Sequence, residues 1–287
     1  MTEGRVSLGA WLTKAEYRLA QAGVESPRLE AQVLAAHALG QTRSWVVAHP
    51  EEPVDPWAFG WSIWRRASRE PLAYIVGERE FYGRPFAVDH NTLIPRADTE
   101  VVLEEAVAVA DLLATTQGEA GLDVLDIGTG SGVLAVSLKL ERPGLRVTGC
   151  DISPGALTVA WVNASLLGAD ILLVRSDLLD DVTGQFDLIV SNPPYVATAA
   201  ALEPEVALHE PPLALYAKEE GLEFYRRLAE EAALRLNPGG RLVVELGDFM
   251  LGPVQLVFED YGWEVVGFRK DLTGMPRALT LAPPILS

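Results

Sequence analysis

The chain has one cysteine, few basic residues and no long apolar run, and each of these shortages excludes or disfavours a class of protein. Cys150 is the single cysteine among 287 residues, which excludes an intramolecular disulfide framework and suits a reducing cytosol. Only 23 Lys and Arg residues stand against 40 Asp and Glu residues, and the net charge of −17 disfavours broad binding to nucleic-acid phosphates. No apolar run could span a bilayer, and no apolar core follows a basic leader at the N-terminus. We therefore expect a cytoplasmic protein with no membrane partner and no direct nucleic-acid partner.

Residues 1–70 have apolar positions at helical spacing. The first predicted helix has its apolar face at Leu8, Leu12, Ala15 and Leu19. Ser26 and Pro27 suit the start of a second helix, because a hydroxyl can cap it and proline fits its first turn. A third helix carries a tryptophan stripe, which we interpret as core rather than contact surface. The stripe consists of Trp57, Trp61 and Trp64. This segment is predicted to be a small helical bundle.

Residues 71–287 are predicted to form a linker and an α/β domain. Glycine and proline punctuate short strand-like pieces over 71–100, which is typical of a β-hairpin linker. After a helix at 101–114, strands and helices alternate, which indicates a mostly parallel sheet with helices on both faces. The predicted strands are 123–128, 146–151, 171–177, 186–192, 241–246, 263–270 and 277–282, the last two forming an antiparallel hairpin. The predicted helices are 132–141, 154–167, 219–236 and 252–260. The expected domains are therefore 1–70, 71–100 and 101–287.

A glycine-rich segment, Gly128–Gly132, lies between the first strand and the first helix of this alternation, and we call it the glycine loop. Glycine lets the backbone turn sharply near a ligand, and the helix start adds free N–H donors. A tight turn that binds nothing would look the same. Asp151 ends the next strand, where a carboxylate can accept both hydroxyls of a ribose, and Asp177 and Leu178 follow the third, where they could hold an adenine. Each acid alone could be a helix cap or a turn residue, but three such groups at successive strand ends favour a nucleoside site.

The fourth strand ends at Asn192-Pro193-Pro194-Tyr195, which we call the proline corner. Two prolines fix φ and cannot continue the strand, so the chain must leave the sheet as a rigid turn. The Asn192 side-chain oxygen and the Pro193 carbonyl can accept the two N–H groups of a planar nitrogen, on which Tyr195 can stack. The alternative is a structural loop that merely ends a strand. The corner lies at the sheet edge where open α/β sheets bind ligands.

The two motifs together resemble those of known methyltransferases. The dinucleotide fingerprint has its third glycine where this chain has Val133, and the shorter spacing to Gly132 resembles the first motif of class I S-adenosylmethionine-dependent methyltransferases. The proline corner resembles the signature of methyltransferases that act on planar nitrogens. Segments 71–83 and 93–100 match the linker of the protein-glutamine-N5 methyltransferases of peptide chain release factors, and the resemblance to this family covers nearly the whole chain.

The resemblance implies a function, a fold and a set of site residues. It implies methyl transfer from S-adenosylmethionine, leaving S-adenosylhomocysteine, to the glutamine of the Gly-Gly-Gln motif of release factors, which modulates translation termination. It implies a seven-stranded class I sheet, a helical first domain that helps recognise the release factor, and no metal; we also expect a monomer. The cofactor-binding residues would be Gly128, Thr129, Gly130, Ser131, Gly132, Asp151, Asp177, Leu178 and Asn192. Asn192, Pro193 and Tyr195 would be catalytic, and these three with Pro194 would bind the substrate amide. The chain departs from the family at Ala97, usually proline, and at 248–250, where a glutamine is common.

Three local features keep two interpretations each. Arg96 could pair with the cofactor carboxylate or with Glu100 one helical turn on. The acidic loop after the proline corner could suggest a metal site, but we favour a lid or a solvated face. That loop contains Glu203, Glu205, His209 and Glu210. Cys150 is interpreted as a packing residue rather than a nucleophile.

Other functions also stay open. A glutamine methyltransferase of a ribosomal protein would have the same proline corner, and its basic substrate would suit an acidic enzyme. An N6-adenine DNA methyltransferase would share the corner too, but the acidic net charge argues against DNA. A nicotinamide oxidoreductase is disfavoured by Val133, and a non-catalytic adenosyl-binding module by the intact proline corner.

Overall fold

The computed structural model describes residues 5–117 and 121–285, and the chain divides into two compact units. The first unit comprises Met1–Glu78 with Leu202–His209, and the second comprises Arg79–Ala201 with Glu210–Ser287. Each unit has its own apolar core. Within the described ranges, every helix is too short or too polar to cross a bilayer.

The N-terminal part of the first unit is the predicted helical bundle. Its elements are β1 Val6–Ser7, α1 Leu8–Gln21, α2 Pro27–Leu39, α3 Arg43–Ala48, β2 Pro53–Val54, α4 Gly60–Ala67 and α5 Leu72–Val76. Ser7 and Thr42 cap α1 and α3, since each hydroxyl accepts a backbone N–H three residues later. Leu8, Leu19 and Leu34 are fully buried where α1 and α2 pack together. The bundle is stabilised mainly by burial of these apolar faces.

The tryptophan stripe is not part of this core, so our interpretation of it was wrong. Trp57, Trp61 and Trp64 are 85%, 66% and 48% exposed, and the last two stack on each other with ring centroids 4.8 Å apart. The buried face around α4 instead presents Phe59 and Ile63. The spacing of these two residues fits a helix as well as the tryptophan spacing does, and the Phe59 ring meets Trp11 of α1 edge-on.

The rest of the chain alternates strands and helices as predicted. The elements are β3 Glu78–Phe81, β4 Arg84–Ala87, α6 Asp98–Gln117, β5 Asp123–Ile127, α7 Val133–Glu141, β6 Arg146–Asp151, α8 Pro154–Leu167, β7 Ile171–Arg175, β8 Phe186–Ser191, β9 Val196–Ala197, α9 Pro204–His209, β10 Tyr216–Ala217, α10 Glu223–Glu231, β11 Leu236–Glu245, α11 Leu251–Asp260, β12 Glu264–Lys270 and β13 Pro276–Ala282. Strands β3 and β4 form the predicted β-hairpin, which lies in the second unit from Arg79 onward, while α9 belongs to the first unit. The helix predicted at 219–236 is shorter, because Glu219 and Glu220 have φ values of 52° and 55° that a helix cannot accommodate.

The seven-stranded sheet has the order β12-β13-β11-β8-β5-β6-β7. The five strands from β11 to β7 are parallel, and β13 and β12 form the antiparallel hairpin at one edge. Neighbouring residues of one strand point to opposite faces, so Val124 of β5 packs in the core under α6 and α7 while Leu125 packs in the core under α10 and α11. The predicted α/β fold with helices on both faces is confirmed.

Candidate active site

The site lies at the carboxyl ends of β5, β6 and β8. Within the sheet, β6 and β7 follow on one side of β5, and β8 then pairs with β5 along its other edge. This reversal leaves a crevice between the ends of β5 and β8, where open α/β sheets bind their ligands. The glycine loop follows β5, Asp151 ends β6, and the proline corner follows β8.

The glycine loop needs its glycines for two physical reasons. Gly128, Gly130 and Gly132 have φ values of 71°, 56° and 83°, which other residues adopt only with strain. A Cβ on Gly132 would also lie 3.2 Å from the Ala160 Cβ, so this glycine lets α7 and α8 approach closely. Gly149 of β6 serves the loop from outside, since its Cβ would lie 2.9 Å from Thr129 Oγ1. Sequence reasoning did not identify Gly149, because a single glycine within a strand does not show which residue packs against it.

The buried side chain of Asp126 holds the glycine loop in place through hydrogen bonds. Thr129 Oγ1 donates to Asp126 Oδ2 at 2.6 Å, and the backbone N–H of Ala135 donates to the same oxygen at 3.1 Å. Burial raises the pKa of Asp126 to about 7, although both hydrogen bonds lower it. On the other side, the Asn163 amide donates to the Ser131 carbonyl at 2.8 Å. The backbone between these anchors is therefore held in one conformation.

Asp151 lies beside the loop with both carboxylate oxygens in use. Oδ2 accepts the Gly130 N–H and Oδ1 accepts the Ser153 N–H, each at 2.9 Å. Burial raises the pKa of Asp151, while these backbone N–H donors lower it. Each carboxylate oxygen has a second lone pair. The group is therefore fixed in orientation and can still accept hydroxyl protons.

Asp177 and Leu178 follow β7 and border the same crevice. Asp177 Oδ1 accepts Arg227 Nη1 of α10 at 2.8 Å, a partner that sequence spacing did not reveal. Leu178 has a φ of 45°, an uncommon conformation for a leucine, and its carbonyl accepts the Cys150 thiol at 3.4 Å. Burial raises the pKa of Cys150 to about 12, so the thiol is protonated at neutral pH and acts in packing, in line with our interpretation.

The proline corner is held from behind by side chains of distant elements. Asn192 Nδ2 donates to Thr99 Oγ1 at 3.3 Å, and the Tyr195 hydroxyl donates to Glu245 Oε1 at 3.4 Å. The Tyr195 ring lies against Gly247, where a Cβ would come within 2.8 Å of it. Burial also raises the pKa of the Tyr195 hydroxyl, which therefore stays protonated and able to donate. Sequence reasoning identified the corner but not these supports.

One cavity of about 350 Å³ joins the glycine loop to the proline corner. Among the predicted site residues, its walls include Gly128, Thr129, Gly130, Ser131, Asp151, Asp177, Leu178, Asn192, Pro193 and Pro194. Gly132 and Tyr195 are absent from the described residues that line it. Apolar side chains, among them Leu134, Ile152 and Leu213, complete the walls. A tight glycine cradle, a fixed carboxylate and apolar walls fit a nucleoside joined to a short polar chain, as in S-adenosylmethionine.

Arg96 and the acidic loop are explained by ion pairs. Arg96 lines the cavity and donates to Glu210 Oε1 at 2.6 Å, whereas Glu100 accepts the Tyr82 N–H, so the proposed Arg96–Glu100 pair is wrong. The Glu210 side chain is 1% exposed, and Glu205 bridges Arg66 and Arg69 in the first unit. The solvated-face interpretation is therefore wrong for these two glutamates. In the described part of the chain, no group of three His, Cys, Asp or Glu side chains could hold a metal.

Two family models match the chain. The model described as PrmC N-terminal domain matches residues 10–77, and the model described as methyltransferase small domain matches residues 107–209. A solved methyltransferase from Pyrococcus furiosus superposes with a TM-score of 0.51 at 21% identity, covering 71% of this chain and 91% of that one. At this level of identity the superposition supports the fold.

Curated relatives match over nearly the whole length. The release factor glutamine methyltransferase of Geobacter sulfurreducens is 46% identical over 267 residues, covering 91% of either chain. The enzyme of the same name from Deinococcus radiodurans is 42% identical over 271 residues, covering 93% of this chain and 95% of that one. A methyltransferase sheet, a cradle that fits an adenosyl ligand and these relatives agree: the chain belongs to the release factor glutamine methyltransferase family and is an S-adenosylmethionine-dependent enzyme.

Proposed function

We propose that this chain methylates the side-chain amide nitrogen of the glutamine in the Gly-Gly-Gln motif of peptide chain release factors and so modulates translation termination. The observation that carries the proposal is that the glycine loop lines the same cavity as Asn192 and Pro193. The relatives that match at up to 46% identity are named for the same activity.

On the cofactor side, the proposed roles follow the geometry of the cavity. The glycine loop would hold the methionine part of S-adenosylmethionine, and Asp151 would accept the ribose hydroxyls with the lone pairs that Gly130 and Ser153 leave free. Asp177 and Leu178 would border the adenine, with Arg227 fixing the Asp177 carboxylate. Once bound, this cofactor supplies an electrophilic methyl group on a sulfonium centre.

On the acceptor side, the proline corner would hold the glutamine amide. An amide nitrogen is a poor nucleophile because its lone pair is delocalised into the carbonyl. Asn192 Oδ1 and the Pro193 carbonyl would accept its two N–H groups and help to draw the lone pair out of conjugation. Tyr195 would stack on the planar group when the substrate is present, which needs a shift of its ring toward the cavity. Transfer then depends on holding nitrogen and methyl carbon about 3–3.5 Å apart and in line.

The proposal needs neither a metal nor a strong general base. The methylated nitrogen cation is very acidic and loses its proton readily, so no side chain has to remove a proton first. The role of Asn192 and Pro193 is then orientation, which can supply a large share of the rate enhancement. The tyrosine hydroxyl at the corner, whose pKa burial raises, stays protonated throughout.

We assign a role to each of the three expected domains. Residues 1–70 would recognise the release factor, residues 71–100 would connect the two larger domains, and residues 101–287 would carry out methyl transfer. The proposed protein is a cytoplasmic monomer that does not bind nucleic acid directly.

The docking role of the first domain can be tested with two substrates. If the first domain binds the release factor, an intact release factor should have a much lower KM than an isolated Gly-Gly-Gln peptide, with a similar kcat. Equal KM values for the two substrates would argue against this docking role.

The experiment that tests the function uses a labelled methyl donor. The purified chain is incubated with release factors, ribosomal proteins and DNA in parallel, and the labelled atom is mapped by peptide mass spectrometry or nucleoside analysis. We expect label on the glutamine amide of the Gly-Gly-Gln motif. Label on a ribosomal-protein glutamine or on an adenine amino group, with none on release factors, would contradict the proposal.

A further inference from the structure

A short segment of the second unit forms part of the cavity wall and is bonded to the chain that leaves the proline corner. We call residues 211–214 the flanking segment. Three of its four residues line the cavity that the corner also lines, namely Pro211, Leu213 and Ala214. Directly after the segment, the Leu215 carbonyl accepts the N–H of Val196, the residue that follows the corner, at 3.0 Å. One end of the flanking segment is therefore fixed beside the corner.

The flanking segment has a stiff backbone of its own. Pro211 and Pro212 each fix a φ angle. A 3₁₀ turn over Pro212–Ala214 adds two hydrogen bonds, from the Ala214 N–H to the Pro211 carbonyl at 2.9 Å and from the Leu215 N–H to the Pro212 carbonyl at 3.2 Å. Because its internal geometry is fixed, the segment is placed by the bonds at its two ends.

Glu210 makes the bond at the other end. Its side chain is 1% exposed, and both of its carboxylate oxygens are used: Oε1 accepts Arg96 Nη2 at 2.6 Å and Oε2 accepts the Ile94 N–H at 3.0 Å. The cavity wall also includes Leu93, Pro95 and Arg96. The carboxylate thus joins two separate pieces of chain that line the same cavity. Because burying a charged group is costly even when it is paired, the pair is better explained by the geometry that it imposes.

The wall placed in this way is apolar and accessible from solvent. Leu213 is 71% exposed although it lines the cavity, so it borders the part of the cavity that is open. A protein substrate has to enter from that side, and burial of an exposed leucine against it would be favourable. The two glycines that precede the glutamine of a Gly-Gly-Gln motif have no side chains, so their backbone can approach such a wall closely.

We propose that Glu210 is a positioning residue for the acceptor: it holds the flanking segment beside the proline corner, where the apolar wall contacts the glycine backbone that precedes the acceptor glutamine. The inference rests on the proposed function. The buried carboxylate acts through residues 211–214 and not by touching the substrate. Loss of Glu210 should therefore weaken acceptor binding more than methyl transfer, and it should spare the cofactor.

The test measures kcat and KM with an intact release factor, and kcat/KM with an isolated Gly-Gly-Gln peptide. E210Q keeps the size of the side chain, but its NH₂ group cannot accept, so either Arg96 or the Ile94 N–H loses its partner. We expect the KM for the release factor to rise at least about tenfold, with kcat within about threefold of wild type. The kcat/KM for the peptide should fall by the same factor, because the proposed contact is with the motif itself. Affinity for S-adenosylhomocysteine should stay within about threefold, since the glycine loop and Asp151 support each other.

E141Q is the matched control. Glu141 is a partly buried glutamate of the same unit, and its Oε1 accepts Arg84 Nη2 at the same distance of 2.6 Å. Neither partner is among the described residues that line the cavity. E141Q should therefore leave kcat and both acceptor measurements unchanged.

A pair of leucine variants tests the wall without altering the buried carboxylate. Leu213 and Leu208 are each 71% exposed, but of these two only Leu213 is among the described residues that line the cavity. L213A should lower kcat/KM for the peptide about fivefold, because it removes apolar surface that the acceptor would bury. L208A should leave this value unchanged. The peptide is the substrate for this comparison because Leu208 belongs to the first unit, which would dock the rest of the release factor.

The outcomes separate this inference from the proposed function. An unchanged KM in E210Q, or equal kcat/KM values for L213A and L208A, would overturn the inference. A loss seen only with the intact release factor, or a parallel loss of S-adenosylhomocysteine affinity, would also overturn it. If E210Q does not fold, judged by circular dichroism, the two leucine variants decide alone. If the wild type labels another acceptor instead of the release factor, the proposed function fails, and the same variants then test the role of Glu210 on that acceptor.

Discussion

The glycine loop and the proline corner line the same cavity, yet they are built in different ways. The loop is shaped mainly by its own backbone, through three positive φ values and a buried threonine–aspartate bond between residues three positions apart, and Asp151 and Asn163 add support from further along the chain. The corner depends on side chains from far along the chain, Thr99 at 93 positions from Asn192 and Glu245 at 50 positions from Tyr195. A binding surface made of backbone can be encoded locally, whereas a corner that must orient a reacting group needs support from other elements.

This difference predicts a separation of effects. Damage to the loop should weaken cofactor binding, because the proposed role of the loop is to hold the methionine part of the cofactor. Damage to the corner should lower kcat, because the proposed role of the corner is to orient the acceptor nitrogen.

Replacement of Asn192 by alanine is expected to have the largest effect. N192A removes the side-chain acceptor for the substrate amide, and we expect the release factor methylation rate to fall at least about a thousandfold. Affinity for S-adenosylhomocysteine, measured by calorimetry, should stay within several-fold of wild type. Comparable methylation rates in N192A and wild type would refute the role of Asn192, and a parallel loss of cofactor affinity would refute the separation.

Replacement of Gly149 by alanine tests the glycine loop. The new Cβ would lie 2.9 Å from Thr129 Oγ1 and should push the glycine loop out of shape, so we expect S-adenosylhomocysteine affinity to fall at least about tenfold. G144A is the matched control, since a Cβ at Gly144 meets nothing within 4 Å. If G149A and G144A bind the cofactor product equally well, the loop does not depend on β6 as described.

Much of this architecture could be predicted from the sequence because its determinants are local. Alternating strand and helix patterns, the glycine spacing and Asn192-Pro193-Pro194-Tyr195 lie in short segments, and the parallel strand order then brings their ends together. Gly149, Thr99 and Glu245 could not be identified in this way. Each acts on a residue of another element, and only the register of the packed sheet shows that Glu245 lies level with Asn192.

The tryptophan stripe shows a second limit of local patterns. Helical spacing predicts that Trp57, Trp61 and Trp64 share one face of a helix. Phe59 and Ile63 are also four positions apart and share another face, which is the buried one. Which face is buried depends on the partner helix, here α1 with Trp11, and a propensity argument based on aromatic size chose the wrong one.

Replacement of Asp151 by asparagine should have a smaller, pH-dependent effect on cofactor binding. D151N loses one acceptor for the ribose hydroxyls, so S-adenosylhomocysteine affinity should fall about tenfold near neutral pH while kcat at saturating cofactor changes little. Because burial raises the pKa of Asp151, this carboxylate should become protonated at a higher pH than an ordinary aspartate. Acidification should therefore weaken the binding of S-adenosylhomocysteine to the wild type. The D151N affinity should not respond to this titration. Parallel pH curves for the two proteins would contradict the assignment of Asp151 to the ribose.

Replacement of Cys150 should have the smallest effect, although its thiol donates a hydrogen bond to the carbonyl of Leu178, for which we propose a contact with the adenine. Burial raises its pKa to about 12, so hardly any thiolate exists at neutral pH and iodoacetamide should leave the folded protein unmodified. C150A should keep cofactor affinity within about twofold, because the backbone conformation at Leu178 is also fixed by its neighbours in the core. Rapid alkylation of the native protein would show that the core around Cys150 opens, and it would contradict a rigid cavity wall beside Leu178.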